Sequence, residues 1–158
     1  MAPAKPKATD PRTSRVLQVP AAEPAEAEAH FLRQLSFETD PSDVHDDLAK
    51  GVRGFAVLDC RPAGDYAAGH VPTAVSAPYA SLDPEAGLRL DPALTYVVYD
   101  SGLFDNAATK TCLRLATLGV RVKEMQGGLH GWTGEGYPVA TGTAPGKLAA
   151  KPELARLK

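Results

Sequence analysis

Two short runs with almost no polar residue, Phe55–Asp59 and Thr95–Tyr99, constrain this chain more than anything else in it. A strand with water on one face alternates apolar and polar side chains, whereas an unbroken apolar run of five residues is the mark of a strand covered on both faces. Between and after these runs the period changes. Ala108, Thr111, Cys112 and Leu115 fall on one face of a helix over residues 106–118, Gly119 closes it, and Arg121–Met125 reads as a further strand. Strands alternating with helices predict an α/β fold, a central and mainly parallel β-sheet with helices on both faces.

The remaining segments fit around that core. Residues 1–28 are dense in Pro, Ala, Lys and Glu and have little apolar surface to offset the entropy of ordering, so they are expected to form a disordered N-terminal arm, with residues 25–29 able to extend the next helix. That helix carries Phe31, Leu32 and Leu35 at helical spacing and ends at the Phe37-Glu38-Thr39-Asp40-Pro41 break. A second helix is expected to start at Ser42 as N-cap, to place Val44 and Leu48 on one face, and to stop at Gly51. Residues 62–68 predict one or two helical turns, Ala74-Val75-Ser76 a short extended piece, and residues 127–134 a glycine-bounded turn and helix containing Trp132. One domain over residues 29–142, followed by a flexible basic tail over 143–158, is the organisation these patterns predict.

Charge and cysteine usage exclude several function classes. The net charge of −2 gives no basic footprint for nucleic acid or an anionic membrane, and no stretch of 18 apolar residues predicts a membrane span. No secretory leader is evident, so the expected location is cytoplasmic, where Cys60 and Cys112 stay reduced. Both are expected to be buried structural thiols. No motif implies a cofactor or a metal, and no partner is named by the sequence; a protein or a small molecule remains open.

Four motifs then fall in register. Leu58-Asp59-Cys60-Arg61, Asp65-Tyr66-Ala67-Ala68-Gly69-His70-Val71-Pro72, Lys123-Glu124-Met125-Gln126-Gly127-Gly128-Leu129-His130-Gly131-Trp132 and Gly136-Tyr137-Pro138-Val139 together resemble a rhodanese-like domain over about residues 29–140. Phe37-Glu38-Thr39-Asp40, Asp43-Val44-His45 and Asn106-Ala107-Ala108-Thr109-Lys110 are similar to a bacterial single-domain subgroup. The resemblance implies thiosulfate sulfurtransferase chemistry at the loop Asp100, Ser101, Gly102, Leu103, Phe104, Asp105. It also implies that the first loop residue should be the sulfur-carrying cysteine, and the subgroup pattern has a second cysteine at the loop's end. Here both positions are aspartate, Asp100 and Asp105.

Such a loop points successive backbone N–H groups, and the start of a helix, at an anionic sulfur or oxyanion. A thiolate suits that seat because it is nucleophilic near neutral pH. A carboxylate keeps the charge and cannot form a persulfide, so the reading is a catalytically inactive homologue acting as a binding or regulatory module. Alternatives are residual sulfurtransferase or hydrolase activity through Asp100 or Cys60, and a loop that takes a cation or small metabolite through Asp100, Asp105 and Asp59. Asp59 and Arg61 are expected to pair and support the loop. His70 is expected to bond backbone groups in a turn, and Tyr66 and Trp132 to be core or rim aromatics.

Overall fold

A computed structural model describes residues 10–82 and 89–149. Residues up to Gln34 form one compact unit and those from Leu35 onward another. In the first, Asp10 caps a 3-10 turn at Pro11–Thr13, its Oδ1 accepting from Arg12 N at 3.0 Å. Helix α1 (Pro24–Phe37) begins inside the stretch read as an arm, so residues 25–29 do extend the next helix. Its spacing was legible, but Phe31, Leu32 and Leu35 stand exposed. Residues 1–9 and 150–158, the outer parts of the predicted arm and tail, lie outside the described residues.

Among the described residues of the second unit, five strands form one parallel sheet in the order β1-β5-β4-β2-β3. They are β1 (Glu38–Thr39), β2 (Phe55–Asp59), β3 (Val75–Ser76), β4 (Thr95–Tyr99) and β5 (Arg121–Met125). The two apolar runs pair with each other over their full length, from Phe55 opposite Thr95 to Asp59 opposite Tyr99. Because neighbouring strand residues face opposite ways, they feed two cores. Val57, Val97, Tyr99 and Met125 pack with Val44 of α2 (Pro41–Lys50) and Trp132 of α5 (Gly128–Gly134). On the other face, Leu58, Tyr96 and Val98 pack with Ala108 and Leu115 of α4 (Ala107–Thr117). The sheet is thus covered on both faces, as an unbroken apolar run requires. The short α3 (Ala63–Ala68) follows β2 and buries Tyr66.

Three expectations need correction. Helix α2 is capped by Asp40, whose Oδ1 accepts from Asp43 N at 2.8 Å, and Ser42 sits inside the first turn; the proline at 41 takes the first helical position, which its fixed φ suits. The supposed break before it contains β1, held by Gln126 N donating to Thr39 O at 2.9 Å. The chain after residue 142 is also no loose tail at its start. Thr73 N donates to Pro145 O at 2.8 Å and Gly142 N to Ala67 O at 2.8 Å, while the fully buried His70 ring meets Tyr66 O through Nδ1 and Ala144 O through Nε2. His70 therefore does bond backbone groups, and residues as far as Pro145 are held against the turn after α3.

Candidate functional site

At the C-terminal end of β4 the chain leaves the sheet as Asp100-Ser101-Gly102-Leu103-Phe104-Asp105 and enters α4. Loops at that end of a parallel sheet are where open α/β folds bind ligands. Asp100 is 4% exposed, and both its oxygens are engaged: Oδ1 accepts from Gly102 N at 3.1 Å and Oδ2 from Ala108 N at 2.9 Å. Ala108 N is one of the unpaired donors at the start of α4, so the carboxylate caps the helix from eight residues upstream. Asn106, directly before the helix, makes no side-chain cap of its own. Asp105 closes the loop by donating its N–H to Gly102 O at 2.9 Å and accepting from Ala107 N through Oδ1 at 3.0 Å.

Replacing Asp100 by Ala leaves Ala108 N and Gly102 N without these acceptors in a mostly buried place. The expected cost is on the order of 1 to 3 kcal/mol, read from urea unfolding midpoints at constant m. A change within error would show that the carboxylate contributes nothing to holding the loop.

The loop is pinned from behind by α5. Leu129 N donates to Asp100 O at 2.9 Å and His130 N to Ser101 O at 3.0 Å. Gly128, just before these donors, is in a left-handed conformation, φ +56°, so close that a Cβ there would lie 2.5 Å from Asp100 O. Sequence reasoning placed this segment as a closing turn and missed its contact with the loop; the Gly127-Gly128 pair was the available signal.

The predicted pair Asp59 and Arg61 does form. Arg61 donates from Nε to Asp59 Oδ1 at 3.0 Å and from Nη2 to Asp59 Oδ2 at 2.6 Å, and Nη2 also reaches Gly69 O at 2.7 Å. Tyr99, the residue before Asp100, donates its hydroxyl to Asp59 Oδ2 at 2.5 Å and accepts from Val71 N at 3.0 Å. Burial above all, and then the Asp59 charge, raises the Tyr99 phenol above its ordinary range, so it acts as a neutral donor. This network ties the ends of β2 and β4 to the turn after α3. It touches the 100–105 loop only through Tyr99, whose role no sequence signal announced.

Cys60 follows β2, its N–H donating to Tyr99 O at 3.1 Å, and its side chain lies in the core beneath α4. Burial pushes its thiol up to about 12, and the charges of Asp100, Asp59 and Asp105 add to that; the Thr111 hydroxyl acts in the opposite sense, though its geometry falls short of a formed hydrogen bond. Cys112, expected to be buried, is only half-buried, yet its thiol is pushed up to about 12 as well, first by burial and then by the charge of Glu124. At neutral pH each thiol should hold about three orders of magnitude less thiolate than a free cysteine. Slow alkylation of both in the folded protein is expected, and rapid labelling of Cys60 without unfolding would make it a nucleophile after all. Raised thiols favour the folded state below the ordinary range near about 8.5, and that contribution is lost as pH climbs toward about 12.

Over the loop lies a cavity of about 530 Å³ lined by Ser101, Gly102, Leu103, Phe104, Asp105 and His130. Among the described residues no group of three His, Cys, Asp or Glu side chains gathers as a metal site, and no helix is long and apolar enough to cross a membrane.

Comparison with known proteins agrees with this architecture. Residues 40–135 match the family described as the rhodanese-like domain. A crystal structure of a Bacillus halodurans protein shares 36% identity over 86% of this chain and 100% of its own, with a TM-score of 0.73. A full-length Lactobacillus plantarum protein shares 30% identity over 75% of this chain and 99% of its own, with a TM-score of 0.62. A Pseudomonas aeruginosa thiosulfate sulfurtransferase, 23% identical over 83% of this chain and 24% of its own, has the same fold with a TM-score of 0.60. Among curated proteins none matches the sequence. By the match that spans α2 to α5, the chain belongs to the rhodanese-like domain family.

Proposed function

We propose that this chain is a rhodanese-like domain without sulfurtransferase activity, working as a binding or regulatory module. The observation that carries the reading is the seat of Asp100. Its carboxylate takes Gly102 N and Ala108 N, donors that would otherwise face an anionic sulfur at the head of α4. Loop residues 100–105 contain no cysteine, so no thiolate is present to take the outer sulfur of thiosulfate and release sulfite. Cys60 is a poor substitute, buried and held protonated. A nucleophilic role for Asp100 is disfavoured because both oxygens are already bonded to backbone donors. The two free thiols fit a reducing, cytoplasmic setting.

The test is a thiosulfate-to-cyanide assay paired with intact-mass measurement after thiosulfate treatment. No turnover above background and no added sulfur atom are expected. Turnover that persists in the Cys60→Ser, Cys112→Ser double variant would overturn the reading, because it would require a sulfur acceptor the loop does not have.

A further inference from the structure

We infer that the cavity over the 100–105 loop binds a small organic ammonium ion with an apolar body, a ligand of opposite charge to thiosulfate. The inference deepens the proposed function and rests on its premise that Asp100 fills the anion seat. The cavity, about 530 Å³, is of ordinary ligand size. Its walls are mainly apolar: Leu103 is 76% exposed and Phe104 stands wholly free at the loop tip. An unpacked aromatic face beside a carboxylate suits an organic cation, which gains from the ring as well as from the charge.

The charges at the cavity point the same way. Among the described residues, Asp105 is the one carboxylate in the lining, and neither Lys nor Arg joins it. Its Oδ1 is bonded to Ala107 N, while Oδ2 has no protein partner among the described residues. Beneath the loop, Asp100 has used the Gly102 and Ala108 donors, so the helix start no longer offers them to an anion. The nearest guanidinium in this network, Arg61, is committed to Asp59 and Gly69. The Cys60 thiol senses the same field, since the charges of Asp100, Asp59 and Asp105 all disfavour its thiolate. The carboxylate in the described lining therefore favours a cation, and an anion entering the cavity would meet Asp105 with the Gly102 and Ala108 donors already taken.

The experiment compares phenethylamine, 2-phenylethanol and 3-phenylpropionate on the full chain at mildly alkaline pH, following backbone amide shifts of Gly102, Phe104, Asp105 and His130. Phenethylamine should bind about tenfold more tightly than 3-phenylpropionate at low salt, with the alcohol between, and the gap should shrink as salt is added. Asp105→Asn keeps an acceptor for Ala107 N but removes the charge, and should reduce the preference to about threefold or less. Phe104→Ala should weaken the amine about threefold to fivefold. A capped Ala-Lys-Ala peptide should bind more weakly than phenethylamine; tighter binding would reassign the site to a protein segment. No localised shifts with any probe, an anion preference, or a preference unchanged in Asp105→Asn would each overturn the inference. Sulfur transfer would sink the proposed function whichever probe binds, whereas anion preference without sulfur transfer sinks only this step.

Discussion

Asp59→Ala is expected to cost about 3 to 5 kcal/mol of folding stability, the range for removing one member of a buried ion pair. Asp59 is fully buried and accepts from Arg61 N, Arg61 Nε, Arg61 Nη2 and the Tyr99 hydroxyl. Its loss strands the guanidinium at 7% exposure and leaves a phenol donor without an acceptor. Arg61→Ala alone should also be severe, yet the double variant should cost at least about 1 kcal/mol less than the two single changes added together, since neither partner is then left charged and alone. Urea unfolding of the four proteins makes that comparison. An additive result, or an Asp59→Ala loss under about 1 kcal/mol, would show that the network is incidental to the fold.

That network also shows what the sequence could and could not convey. The strands Phe55–Asp59, Thr95–Tyr99 and Arg121–Met125 were legible because each is long enough to carry a pattern. Val75–Ser76 was read as a short extended piece, whereas Glu38–Thr39 was missed, being two residues defined by a pairing partner far along the chain. The 100–105 loop could be located through its resemblance to a known family. A cradle of backbone amides at Asp100 was expected as well, but not which amides form it: its carboxylate is held by an amide eight residues on and its carbonyl by the helix beginning at Gly128. The Asp59 and Arg61 pair is local, two residues apart, and was readable; its hydroxyl partner Tyr99 sits 40 residues away and looked like one more apolar strand residue. The start of the supposed tail failed for the same reason. His70 meets Ala144 across 74 residues, and nothing near either position marks the contact.

The second large effect is expected at Gly128. Its φ of +56° is left-handed, which costs a residue with a Cβ roughly 1 to 2 kcal/mol. The added carbon would also lie 2.5 Å from Asp100 O, 2.7 Å from Gly102 N and 2.9 Å from Ser101 C, all backbone atoms that cannot rotate away. Relieving such overlap requires a backbone shift costing about 1 to 3 kcal/mol. Gly128→Ala should therefore lose about 2 to 5 kcal/mol overall. The strain falls on the donors Leu129 N and His130 N that hold Asp100 O and Ser101 O, so the loop should shift as well as the fold weaken. Amide exchange should accelerate at Gly102 and Ala108, the two donors to the Asp100 carboxylate, beyond the change expected from lower global stability. Gly134→Ala, where a Cβ meets open space, is the control. If the two variants unfold at the same urea concentration with equal exchange at Gly102 and Ala108, then α5 does not pin the loop, and the carboxylate seat rests on α4 alone.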